Sequence, residues 1–323
     1  FPYTTLFRSE GDSGNVDGFG GHANKETSTG NIFRGCRAWN NGDDGFDLIN
    51  CYASYIIEYC WSFRNGYKPH SIESSGGNGA GFKSGGYGMG DIKKVPNPIP
   101  QHTVRYCLAY YNRQQGFYSN HHLGGLIFEN NTAYKNPSNY NMLNRKSSNE
   151  AVDVPGYGHI IKNNLSLSPR NSGGFPQHLI NVDNTLSEIK NNSFAPNDLN
   201  LSESDFESLN EQELMGSRKS DGSLPDINFL RLTNHANFRF SGMGCFINEE
   251  AVDYSWIQEP AIVLENGVAR IVGENSKSFN KFYVNGEEVS IENGIVDLTS
   301  MSGELNLKAI SENGAVTTLI INK

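Results

Sequence analysis

The stretch NNGDDGFDLIN (40–50) crowds Asp43, Asp44 and Asp47 into five positions. Asp17 sits in a related setting, VDGF (16–19), and Lys83 in a third, AGFK (80–83). Carboxylates this close repel one another, so something must make the crowding tolerable. Three chemistries fit the pattern. The group is a solvated acidic turn, a pair of acids for proton transfer, or a cage for a hard cation. Ca²⁺ suits such a cage, because it takes about six to eight oxygen ligands in irregular geometry. No His or Cys falls in the cluster, which argues against zinc. Lys83 has two readings of its own. It is a surface salt bridge to Asp47, or a general base whose amine is kept neutral by a cation beside it.

These residues lie within a repeat. NIFRGCRAWNN (31–41), YIIEYCWSFRN (55–65), HTVRYCLAYYN (102–112), LIFENNTAYKN (126–136), HIIKNNLSLS (159–168) and SEIKNNSFA (187–195) follow one plan. Aligned, Cys36, Cys60, Cys107, Asn131, Asn164 and Asn192 share one column, and Ala38, Ser62, Ala109, Ala133 and Ser166 another. A second register reads DGFG (17–20), DGFD (44–47), AGFK (80–83) and QGFY (115–118). Two registers kept in phase over such units predict a right-handed parallel β-helix, with coils stacked about 4.8 Å apart. An all-β sandwich with coincidental similarity is the weaker alternative.

In that fold Phe19, Phe46, Phe82 and Phe117 stack inward. The cysteines pack as small free thiols, and the Asn column exchanges amide hydrogen bonds between coils. Asp17 then lies under Asp44. Asp47, Lys83 and Tyr118 share a further column, preceded by Gly20. Asp17 thus reaches the acidic group from a separate coil, which favours a metal site over a solvated turn.

The chain has 323 residues and a formal charge of −9. With no basic stripe it is not expected to bind nucleic acid. No apolar run is long enough to span a bilayer. Five cysteines at no ligand spacing describe neither a zinc site nor a disulfide framework. The opening FPYTTLFRSE (1–10) fits no later pattern and is read as a truncated or non-native start.

These motifs resemble polysaccharide lyase family nine, whose members are β-helix enzymes. NVDGF (15–19), NIFRGCRAWNNGDDGFDL (31–48), GNGAGFKSGG (77–86), CLAYYN (107–112), NNTAY (130–134) and DGSLPDINFLRL (221–232) carry the resemblance, over roughly two thirds of the chain. It implies calcium-assisted β-elimination in acidic plant polysaccharides, pectate or rhamnogalacturonan I. Asp17, Asp43, Asp44 and Asp47 fall on the family's calcium-ligand positions, and Lys83 falls on its base. Arg64, Lys68 and Arg113 are candidates for binding further uronates, and Tyr87, Tyr118, His121 and His122 for lining the cleft. Taken singly, each is as readily an ordinary surface residue. The Gly- and Pro-rich loop at 85–101 follows Lys83 directly and reads as a substrate loop or a disordered excursion.

Residues 1–195 are expected to form the β-helix. Residues 196–244 form a closing segment with a short helical pattern near 200–214. Residues 245–323 alternate polar and apolar positions between Asn-Gly turns, the signature of a small antiparallel β-sandwich. The expected protein is a monomeric bacterial enzyme, secreted or periplasmic. Two rivals remain open. One is a β-helix glycoside hydrolase using the aspartates as acid and base. The other is a carbohydrate-binding β-helix with a structural calcium.

Overall fold

The computed structural model describes residues 15–88, 95–170, 177–247, 260–265, 267–273, 275–292 and 294–323. The opening residues read as non-native, and positions 89–94 of the loop after Lys83, lie outside these. The chain divides into two compact units. The first reaches to Thr233 and takes in Met243–Ile247; the second comprises Asn234–Gly242 and the C-terminal residues to Lys323.

Three parallel sheets build the first unit; five coils contribute a short strand to each sheet, and the last described coil to the first two. The first sheet stacks Phe19–Gly20, Phe46–Asp47, Phe82–Lys83, Phe117–Tyr118, Tyr140–Asn141 and Leu179–Ile180. The second runs from Asn31–Arg34 to Glu188–Lys190, and the third from Arg37–Trp39 to Leu165–Leu167. This is the parallel β-helix expected from the repeat.

The GF register has a plain physical cause. Phe19, Phe46, Phe82 and Phe117 stack face to face with centroids 4.9, 4.9 and 5.0 Å apart, and Tyr140 continues the column at 4.9 Å. All but the terminal Phe19 are fully buried. The preceding glycine is equally constrained. A Cβ on Gly45 would lie 2.0 Å from Ser62 Oγ and 2.8 Å from the Gly81 carbonyl oxygen of the next coil. Only a residue without Cβ lets the coils approach here.

The corner between the second and third sheets is a single left-handed residue on each coil. Gly35, Tyr59, Tyr106, Asn130, Asn163 and Asn191 adopt it, with φ between 52° and 62°. Just after it comes the Cys/Asn column. Asn131 Nδ2 donates to Asn164 Oδ1 at 3.1 Å, and Asn164 Nδ2 to Asn192 Oδ1 at 2.9 Å. Where cysteine replaces Asn, the Cys36 amide donates to Cys60 Sγ at 3.3 Å. The Asn that ends four of the repeat copies builds a second ladder, Asn41–Asn65–Asn112–Asn136, with amide bonds of 2.8, 2.9 and 3.0 Å. All five cysteines are free and buried.

After residue 195 the chain turns back along the third sheet. The helical pattern near 200–214 resolves into 3₁₀ turns at Glu203–Asp205 and Glu211–Met215. Arg37 Nη1 donates to the Leu214 and Gly216 carbonyls, Arg64 pairs with Glu211 at 2.7 Å, and Tyr134 donates to Glu203.

The second unit holds two antiparallel sheets around a shared core that includes Ala269, Phe282, Val296 and Leu307. Glu304–Ser311 alternates exposed and buried side chains for most of its length, as a half-buried strand must. Asn285 (φ 51°) and Gly286 (φ 89°) form the two-residue turn anticipated from Asn-Gly. Among the described residues no helix is long and apolar enough to cross a membrane.

Candidate active site

The first sheet presents a column of outward side chains. Its register pairs Gly20 with Asp47, Asp47 with Lys83, Lys83 with Tyr118, and Tyr118 with Asn141. Asp43 and Asp44 sit on the approach to Phe46–Asp47, and Asp17 on the coil below. Carboxylate oxygens of Asp17, Asp43 and Asp44 lie within 4.8 Å of one another.

Backbone amides hold each carboxylate in place. Asp17 Oδ1 accepts from the Asp44 amide at 3.0 Å, and Asp44 Oδ1 from the Ala80 amide at 2.6 Å. Asp43 Oδ1 accepts from Asn78 and Gly79, and Asp47 Oδ1 from Ile49. One oxygen of each is thereby committed to the chain. Arg113 braces this arrangement. Its Nη1 donates to the Gly77 and Asn78 carbonyls, in the loop whose amides reach Asp43.

Lys83 meets the cluster from above. Its Nζ lies 2.9 Å from Asp47 Oδ2 and 3.1 Å from Asp44 Oδ2. The second contact is an ion pair without hydrogen-bond alignment, so Asp44 Oδ2 is buried with no hydrogen-bond partner. Burial works against the ammonium, but Asp44 and Asp47 outweigh it and hold its pKa above the ordinary lysine range. The ammonium is thus the form favoured by the carboxylates alone, and the neutral amine expected from the sequence requires a cation beside it. Aspartate is the neighbour that dominates these surroundings. Burial raises Asp44 to about 7, helped by Asp43 and Asp47 and opposed by Lys83. Burial also raises Asp17 to about 6, with Asp47 adding to it. Such a group gains from a dication, which would give Asp44 Oδ2 a second positive partner and offset the repulsion. The oxygen-only donor set fits Ca²⁺.

The remaining candidates separate. Tyr118 and His121 join the site: the Tyr118 hydroxyl lies 2.9 Å from His121 Nε2, and His121 Nδ1 lies 2.6 Å from Asp153 Oδ1. Arg64 is engaged by Glu211, with its guanidinium over Tyr111. Lys68 forms an exposed pair with Glu73 at 3.2 Å. Tyr87 is buried, with its hydroxyl donating to the Cys51 carbonyl and its ring stacked on His122. His122 is fully buried and accepts the Gly86 amide on Nδ1. Asp153 was not legible from the sequence. It lies on the antiparallel hairpin Asn144–Ser147/Glu150–Val154, outside both repeat registers.

Comparison with known proteins agrees with this architecture. A family model described as "Pel9A-like, right handed beta helix region" matches residues 5–193, and one described as "Rhamnogalacturonan lyase-like, C-terminal" matches residues 183–318. The chain belongs to the Pel9A-like right-handed β-helix family. It is similar to pectate lyase L of Dickeya chrysanthemi, at 35% identity over 240 residues, covering 74% of this chain and 48% of the relative. Pectate lyase PEL9 of Emericella nidulans is 27% identical over 262 residues, covering 71% of this chain and 58% of the relative. A solved structure named rhamnogalacturonan lyase superposes with a TM-score of 0.66 at 54% identity, covering 73% of this chain and 56% of the other. The crystal structure of pectate lyase Pel9A does so with a TM-score of 0.52 at 34% identity, covering 68% of this chain and 47% of the other. The chain thus spans about half the length of the curated relatives it matches.

Proposed function

We propose that this chain is the catalytic part of a polysaccharide lyase that cleaves galacturonate-containing pectin by β-elimination. Lys83 is its base, and Asp17, Asp43, Asp44 and Asp47 are its calcium ligands. The observation that carries the reading is the position of Lys83, directly over Asp47 and against Asp44, beside a three-carboxylate group in which Asp43 and Asp44 are buried and Asp17 half-buried. The similarity to pectate and rhamnogalacturonan lyases supports it. The 54% identity to the latter, together with the C-terminal match, favours rhamnogalacturonan I as substrate. A secreted or cell-surface location accords with a polymer too large to enter a cell.

A galacturonate carries its C5 hydrogen alpha to a carboxylate. Bound calcium supplies Lewis-acid stabilisation of that carboxylate. Lys83 is the amine of this group that would take the C5 proton. It is clamped by Asp44 and Asp47, so it becomes a base only when their charge is engaged elsewhere. The electron pair from C5 forms the C4–C5 double bond, the C4–O bond breaks, and the leaving oxygen takes a proton from water. The product carries an unsaturated uronate at its new non-reducing end.

The test is ultraviolet absorbance of that conjugated product, on polygalacturonate and on rhamnogalacturonan I, with calcium and with a chelator. A calcium-dependent rise supports elimination. New reducing ends without absorbance would mean hydrolysis, and would exclude the Lys83 mechanism.

A further inference from the structure

The column that holds Asp47 and Lys83 continues with Tyr118 on the next coil. Coils are spaced about 4.8 Å apart, close to the span of one pyranose ring. An extended saccharide lying along the column therefore places neighbouring sugars over neighbouring rungs. On that path a galacturonate over Lys83 would have its neighbour over Tyr118.

The chemistry of that second rung differs from the first. Asp153 can only accept the hydrogen bond from His121, so Nδ1 carries a proton, and in the neutral imidazole Nε2 is then the acceptor. With that neutral ring the Tyr118 hydroxyl donates to Nε2. Its own proton is committed, and what it offers the cleft is an acceptor oxygen. Burial and the Asp153 charge push this phenol up to about 12, so it stays a neutral hydroxyl. Two cations act on Tyr118: Lys83, on the adjacent rung and held by Asp44 and Asp47, and Arg145, whose side chain is only 7% exposed and lies 3.9 Å from Asp153. Lys146, next along the hairpin, pairs with Glu150 at 2.8 Å. This rung therefore presents an acceptor backed by a carboxylate. A uronate carboxylate gains little there, whereas a neutral sugar with hydroxyls to donate is well served.

We propose that Tyr118, positioned by His121 and Asp153, forms a neutral-sugar subsite next to the galacturonate attacked by Lys83. The subsite selects a backbone alternating galacturonate with a neutral deoxyhexose over a continuous galacturonate chain. The proposal rests on the lyase reading and assigns its specificity to the hairpin that carries Asp153. Tyr118 touches substrate; His121 and Asp153 are positioning residues.

The test uses the Lys83→Ala variant, whose turnover should be slowed enough for binding to be measured. Calorimetry is run with calcium against a galacturonate–rhamnose tetrasaccharide and against tetragalacturonate. The alternating ligand is expected to bind at least tenfold tighter. Tyr118→Phe should weaken it about tenfold, the equivalent of one hydrogen bond, and leave tetragalacturonate unchanged. Asp153→Ala should act in the same direction, and should add nothing in the Tyr118→Phe background. In the active chain Tyr118→Phe should raise KM on the alternating polymer and change kcat less than threefold. Equal weakening of both ligands, no weakening, or a preference for tetragalacturonate overturns the proposal. If preference and variant effects hold but no unsaturated product forms, the lyase reading fails and the subsite stands. If product forms but the binding ratio does not move, only the subsite fails.

Discussion

Lys83 stands directly over Asp47 on the adjacent coil, with Nζ 2.9 Å from Oδ2. The same ammonium reaches Asp44 at 3.1 Å, so one cation serves two buried carboxylates. Removing it has two separable consequences. As the proposed base, Lys83→Ala should lower kcat by about 10²–10⁴-fold. As the counter-ion, its loss leaves two carboxylates uncompensated and should destabilise the calcium-free chain by on the order of 3 kcal/mol. Kinetics and chemical unfolding in chelator measure the two effects. Full activity with unchanged stability would remove Lys83 from both roles.

Calcium should stabilise the folded chain, because three carboxylates converge there and one buried oxygen has no hydrogen-bond partner. At a hundredfold excess over Kd the gain is about 2.7 kcal/mol for a single site. Thermal unfolding should show Tm rising with calcium. The rise should vanish in Asp44→Asn and weaken in Asp17→Asn, each of which removes a charge from the converging group. A rise that persists in both would place the ion elsewhere.

Much of this site was legible because a β-helix turns sequence offset into spatial address. Phe46 and Phe82 mark the same point on successive coils, so Asp47 under Lys83 followed from counting residues. The limits have equally physical causes. Tyr140 and Leu179 continue the first sheet without a GF signature, because Asn139 and His178 precede them where Gly45, Gly81 and Gly116 precede the phenylalanines. The Asp153–His121 contact spans 32 residues through a hairpin that obeys neither register. Arg64 read as a possible substrate ligand because its partner, Glu211, lies 147 residues away in a non-repetitive segment. The charge state of Lys83 depends on burial and on the balance among Asp17, Asp43, Asp44 and Asp47, which column counting does not supply.

Acid should destabilise the β-helix through its buried histidines. Burial depresses His102 to about 3 and His122 to about 4, with His122 adding to the effect on His102. The rings lie 5.6 Å apart and are almost wholly excluded from water. Both are neutral in the fold, and their pKa values lie below the unfolded value of about 6.5. The unfolded chain therefore binds more protons, and stability rises with pH. The contribution is complete above pH 6.5 and is lost as pH falls towards 4 and then 3. Tm measured against pH, in wild type and in His122→Gln, should show a smaller drop over this window in the variant. Identical curves would mean that His122 is not buried in its neutral form.

Asn112 is the strongest single test of the inter-coil ladder. Its Oδ1 accepts from Asn65 Nδ2 at 2.9 Å, and its Nδ2 donates to Asn136 Oδ1 at 3.0 Å and to the Ser62 carbonyl at 2.9 Å. It is fully buried, so water does not replace these partners. Asn112→Ala takes the acceptor from two buried donors, Asn65 N and Nδ2, and a donor from the Ser62 carbonyl, while Asn136 Oδ1 keeps the Asn112 backbone amide; it should cost about 2–4 kcal/mol by denaturant unfolding, from about 1–3 kcal/mol per orphaned group with partial relaxation. Asn112→Asp keeps the shape but loses the amide donor and adds charge beside acceptor oxygens. It should therefore be worse than alanine at neutral pH and recover as the carboxyl protonates in acid. If aspartate were tolerated at pH 7, the ladder would not be a closed chain of amide hydrogen bonds, and the column would owe its order to packing of the coils alone.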